Sequence, residues 1–129
     1  MTPELTYLAL VTALTAVMWV PYILNTIAIR GVADAVGYPD QPAPLSPWAQ
    51  KMKAAHYNAV ENLVVFATLV LIAHVANVSN QATLMACMVY FWARVVHFLS
   101  YSLAIPWVRT LAFVTGFGCQ ATLAWQLLG

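Results

Sequence analysis

Charge is what this sequence has least of. Five basic and four acidic side chains make up 7% of its 129 residues, against 63% that are apolar, whereas an ordinary soluble domain carries about 25% charged residues. That shortage argues against a soluble globular domain and points to a chain that crosses a membrane several times. Basic runs are missing as well, and a formal net charge of +1 leaves no electrostatic footprint for nucleic acid. No segment is long enough or polar enough to build a second domain, so residues 1–129 read as one membrane domain.

Cysteine is nearly as scarce. Cys87 and Cys119 both lie inside apolar runs, with neither CxxC nor His/Cys metal spacing, so they read as small buried packing residues and no metal site is expected. No Ser/His/Asp or Cys/His arrangement supplies a protein nucleophile. The N-terminal stretch carries Glu4 and no early Lys or Arg, and its apolar run is too long for a signal-peptide core. A retained first helix is expected there.

What the sequence does have is long apolar runs. Crossing about 30 Å of hydrocarbon takes about 20 mostly apolar residues in a helix, and four stretches qualify. They run from about Leu5 to Ile29, from Pro47 or Trp48 to about Ala76, from about Ala82 to Ile105, and from about Trp107 to Leu128. The expected fold is an all-α membrane protein, a four-transmembrane-helix bundle. Pro21 and Asn25 fall inside the first span, where neighbours must satisfy the freed backbone and the amide. The one long connection, about 30–47 within RGVADAVGYPDQPAPLSPWAQ, is broken up by Pro39, Pro42 and Pro44, with Ser46 placed to N-cap a helix that has Pro47 in its first turn. Polar residues 77–81 and the Ile105-Pro106-Trp107 step mark two tight turns.

All five basic residues fall at one level: Arg30, Lys51 and Lys53 around the first loop, Arg94 and Arg109 near the third. The positive-inside rule places those loops in the cytoplasm and both termini outside. In that orientation the polar residues of the spans converge. Lys51, Ala54, Asn58, Glu61 and Val65 recur at i, i+3 and i+4 on the second span; Tyr90, Arg94, His97 and Tyr101 do the same on the third. Arg109 opens the fourth, with Thr110 beside it and Gln120 deeper in. Ionisable groups within a span are costly and mark functional sites or buried pairs. One reading makes Glu61 and Arg94 a buried ion pair completed by Asn58 and Tyr101. The other makes the cluster a cleft for an anionic ligand, because Arg30, Lys51, Lys53 and Arg109 add positive charge without acidic partners. His56 falls on a different face and reads as structural. His74 lies toward the far end of its span, away from the cluster.

The segment KMKAAHYNAVENLVVF, followed by ARVVHFLSY and then VRTLAF, resembles the MAPEG family, the membrane-associated proteins of eicosanoid and glutathione metabolism. The paired patterns HxNxxEN and RxxHxxxY carry the resemblance, which extends over nearly the whole chain; WVPYILN and LSPWAQ look most like the bacterial branch. The resemblance implies a homotrimer in a bacterial inner membrane, with glutathione bound between subunits on the cytoplasmic side and lipophilic small-molecule substrates arriving from the lipid bilayer. It implies that Asn58, Glu61, Arg94, His97 and Tyr101 contact glutathione, with Arg30 a basic residue at the end of the first span and Arg109 stabilising the thiolate. Tyr101 or Thr110 would donate a hydrogen bond to sulfur. The chain departs from the family pattern at Ala54, where members carry an arginine for a glutathione carboxylate, and at Tyr57, where some carry another; Lys51, one turn before Ala54 on the same face, is the nearest substitute. The function implied is a glutathione-dependent transferase or peroxidase for lipophilic electrophiles. The alternatives are a non-catalytic scaffold of the same fold, a haem or quinone protein using His97 and His74, and a small multidrug exporter, for which Glu4 lies too close to the edge of its helix.

Overall fold

Pro21 has no N–H to offer the carbonyl of Val17, and its ring crowds that carbonyl, so the first apolar run cannot continue as one straight helix. In the computed structural model, which describes all 129 residues, the run is two helices, α1 (Pro3–Val17) and α2 (Trp19–Val36), meeting at Met18. The Met18 N–H closes a short bond to Thr15 O at 3.3 Å in place of the regular i→i−4 bond. Three further helices follow: α3 (Pro47–Val75), α4 (Gln81–Ser102) and α5 (Pro106–Leu128). Four helical lengths, α1 with α2, then α3, α4 and α5, are long and apolar enough to cross a membrane.

The helix ends follow local chemistry. Thr2 caps α1 by accepting from Leu5 N at 3.2 Å, with Pro3 in the first turn. Asn80 and Thr83 form a reciprocal capping box at the start of α4. The C-termini of α3 and α4 each close with the paired bonds of a Schellman motif. Asn77 (φ 57) bonds His74 O while Val78 bonds Ala73 O; Ala104 (φ 59) bonds Tyr101 O while Ile105 bonds Ser100 O.

The first connection is shorter than the expected 30–47. Helix α2 runs on to Val36, interrupted at Gly31 (φ 79, ψ 163), a conformation only glycine adopts readily. Asn25 then clamps the returning chain: its Oδ1 accepts from Ser46 N and its Nδ2 donates to Ser46 Oγ, both at 3.0 Å. Ser46 therefore sits at the N-cap position of α3 but spends its hydroxyl on Asn25, not on the helix.

Helices α4 and α5 share the largest interface; α1 and α3 both pack on α4, and α2 packs chiefly on α3. Val11, Phe66, Val70, Cys87, Tyr90 and Leu123 lie at the centre of the apolar core. Phe66 and Tyr90 stack with centroids 3.8 Å apart, an arrangement contributing about 1 kcal/mol beyond burial. Both cysteines are free and buried. The outward faces, with Trp92, Val114, Phe117 and Leu71 exposed, are as apolar as the core, as lipid contact requires.

Candidate functional site

On α3 the buried stripe runs through Ala55, Ala59, Phe66, Val70 and Ala73, with Asn58 and Asn62 half-buried on its flank. Small residues there let α4 approach. On α4 the buried stripe is polar: Thr83, Tyr90, Arg94, His97 and Ser100 all turn inward. The two stripes meet at Asn58 and Arg94. Arg94, only 2% exposed, donates from Nη2 to Asn58 Oδ1 at 2.9 Å. Asn62 donates to Asn58 O at 2.9 Å, and Gln120 of α5 donates to Asn62 O at 3.1 Å. One polar network thus ties three helices together at mid-bundle, and it keeps a guanidinium inside a structure where that costs several kcal/mol.

The same face of α4 holds unmet hydrogen-bonding capacity. Tyr90 OH, Arg94 Nε and His97 Nδ1 are buried without a hydrogen-bond partner. His97 is 2% exposed and packs edge-on to Tyr101, centroids 5.6 Å apart, with Phe113 on its other side.

One turn further, α4 ends and α5 begins. Because the Schellman turn at Ala104 reverses the chain within a few residues, Arg109 returns beside Tyr101, its guanidinium 5.0 Å from the ring centroid. Lys51, from the first turn of α3, faces the same space. Lys51, Tyr101, Arg109 and the turn residues Ala104, Ile105 and Pro106 line a cavity of about 360 Å³. Two cations, a phenol and an apolar floor converge there, with no carboxylate in the lining. That combination attracts an anion and stabilises one that forms in place.

Of the residues singled out by sequence, the structure groups Lys51, Tyr101 and Arg109 in one cavity, pairs Asn58 with Arg94, and places His97 between the two sets. Arg30 and Glu61 are not brought in. Arg30 Nε donates to Ala43 O at 2.7 Å, fastening the connecting loop. Glu61 is exposed on the outer side of α3, and the hydrogen bond of Arg94 goes to Asn58 instead, so the ion-pair reading of Glu61 with Arg94 does not hold in this structure. Lys53 lies with Nζ 5.7 Å from the Tyr57 ring centroid. His56 joins α3 to α2 through a 2.7 Å hydrogen bond between its Nδ1 and Tyr22 OH. His74 is exposed and lines a different cavity from the one beside His97.

Gln120, a polar residue deep in the fourth span, and Asn62, the last residue of the HxNxxEN pattern, complete the mid-bundle network, a joining that sequence alone did not indicate. Glu4 is buried near the start of α4, and a lone acid two residues into a helix gave no sign of that.

Comparison with known proteins adds to this geometry. The family model described as the MAPEG family matches residues 8–129. Microsomal glutathione S-transferase 1 of Mus musculus is 30% identical over 80 residues, covering 61% of this chain. The matched stretch spans about half, 52%, of that relative's length. No solved structure matches.

Proposed function

The chain belongs to the MAPEG family and is an integral, multi-pass membrane protein, and from that premise we propose that it is a glutathione-dependent transferase or peroxidase acting on lipophilic electrophiles. The observation that carries the proposal is the cavity where Lys51, Tyr101 and Arg109 converge. The similarity to a microsomal glutathione S-transferase supports glutathione as the co-substrate.

A thiol with pKa of about 8.5 is mostly protonated at neutral pH, and a nearby cation favours its thiolate. In this reading Arg109 supplies that charge, and the Tyr101 ring beneath it fixes the guanidinium while its hydroxyl donates to sulfur. In conjugation the thiolate electron pair forms a C–S bond and the leaving group departs with its own pair. In peroxide reduction the thiolate takes one peroxide oxygen and the alcohol leaves; a second glutathione then closes the disulfide and releases water. Lys51 and Arg94 offer cationic contacts to the glutathione carboxylates, with Asn58 and His97 as hydrogen-bonding groups.

Arg30 and Glu61 enter this reading through assembly. Glu61 faces outward from the protomer, and Arg30 stands just before the Gly31 interruption of α2, a helix that packs chiefly on α3. In a homotrimer with the site between subunits, both would reach glutathione across the interface. The positive-inside distribution supports a cytoplasmic site and outside termini.

The test is turnover of a hydrophobic aryl halide and of a lipid hydroperoxide by the purified protein in detergent or vesicles. Glutathione-dependent turnover that falls at least tenfold in Arg109→Ala supports the proposal, while turnover unaffected by that change contradicts it. A second reading, a non-catalytic scaffold of the same fold, is favoured by Ala54 and Tyr57 and by the direction of Lys53. Absence of glutathione binding would favour the scaffold.

A further inference from the structure

A second cavity, of about 170 Å³, lies at the end of the bundle where α1 and α4 begin and α3 ends. Its walls include Leu5, Val70, Ala73, Val78 and Leu123, and one side chain lining it is the carboxylate of Glu4. Glu4 is only 7% exposed. Ser79 Oγ donates to it at 3.0 Å and Thr83 Oγ1 at 3.2 Å, and both bonds arrive at Oε1. The Thr83 hydroxyl has one proton and also lies 2.9 Å from Asn80 O, so Ser79 is the steadier donor. Neither bond reaches Oε2.

Glu4 stands in the first turn of α1 and meets the first turn of α4 through Thr83. Two helix N-termini therefore favour a negative charge at this point. They supply partial charges only, and no Lys or Arg lines the cavity. One carboxylate oxygen, Oε2, is left without a hydrogen-bond partner beside the chamber. A cavity of about 150 Å³ holds a molecule the size of benzene, and this one is slightly larger.

We propose that this cavity binds a small organic ammonium ion, the cationic nitrogen bonding Oε2 of Glu4 and a compact apolar body filling the space between Leu5, Val70, Ala73 and Leu123. His74 also lines the cavity. The proposal is independent of the glutathione reading, because none of its residues lines the Lys51–Tyr101–Arg109 cavity.

The test is calorimetric titration of the detergent-solubilised full chain with benzylamine at pH 8, and with benzyl alcohol as the uncharged counterpart of the same shape. The expected result is saturable binding of benzylamine at least tenfold tighter than benzyl alcohol, with that preference lost in Glu4→Gln. The contrast between the two ligands on the unaltered protein needs no variant, so it stands even if Glu4→Gln fails to fold. Equal affinity for the two ligands, no binding of benzylamine, or an undiminished preference in a folded Glu4→Gln overturns the proposal. A phosphatidylethanolamine headgroup carries the same ammonium chemistry. Repeating the titration in phosphatidylcholine nanodiscs with and without phosphatidylethanolamine separates the sources: competition assigns the site to the lipid, and no competition to a free amine.

Discussion

The guanidinium of Arg109 stands 5.0 Å from the centre of the Tyr101 ring, across the turn that joins α4 to α5. The tyrosine thereby positions the one cation proposed to act on sulfur. A cation–π contact of this kind contributes about 0.5–2 kcal/mol. Tyr101→Phe keeps the ring and loses only the hydroxyl; Tyr101→Ala loses both. Steady-state kinetics with saturating electrophile should show the alanine variant several-fold slower than the phenylalanine variant. Equal rates in the two would remove the ring from the account.

The Arg94–Asn58 bond makes a stability prediction. Asn58→Ala leaves a buried guanidinium without its partner, a change costing about 2 kcal/mol. Replacing both residues, as in Asn58→Ala with Arg94→Met, removes the buried charge along with its partner and should cost less than the sum of the single changes. Thermal unfolding of all four proteins in one detergent measures the coupling. Strict additivity would show that the bond carries no stabilisation.

The loop clamp is testable without activity. Asn25 makes two 3.0 Å bonds to Ser46, each contributing about 1 kcal/mol. In Asn25→Ala the Ser46 amide should exchange with solvent about tenfold faster or more, along with its neighbours in 37–46, while exchange in α4 and α5 stays unchanged. Uniform acceleration across the bundle would mean that Asn25 supports the whole fold.

Two glycines give opposite expectations. Gly31 has φ 79 and ψ 163, and a Cβ added there meets nothing within 4 Å. Any loss in Gly31→Ala is then backbone strain, about 1–3 kcal/mol. Gly118, inside α5, is equally open to a Cβ but has no left-handed φ. Gly118→Ala should therefore stabilise by about 0.5–1 kcal/mol. Melting temperatures that moved in the same direction for both would contradict this distinction.

The spans were legible in sequence because length and apolarity alone define them; Pro21 was read as tolerated within one span, and the break at Met18 was not expected. The direction each helix faces was harder to read. Asn58 and Glu61 are three residues apart and share a face at helical spacing, yet the buried line of α3 runs through Ala55, Ala59 and Phe66, leaving Asn58 on its flank and Glu61 outside. Against water an apolar stripe would have revealed that line. Against lipid the outward residues Val60, Val64 and Leu71 are as apolar as the inward ones, so hydrophobicity does not separate the faces. Helix α4 was easier, because its inward stripe of Tyr90, Arg94 and His97 is polar. The role of Glu4 depends on partners distant in sequence, Ser79 and Thr83.

Arg109 is proposed to hold a glutathione thiolate in the cavity it shares with Lys51 and Tyr101. Ultraviolet thiolate absorbance on rapid mixing of protein and glutathione at neutral pH tests it most directly, together with the proton released. A saturable thiolate signal with about one proton released per site is expected, abolished in Arg109→Ala and largely kept in Arg109→Lys. A signal of undiminished amplitude in Arg109→Ala, or none in the unaltered protein at saturating glutathione, would contradict it.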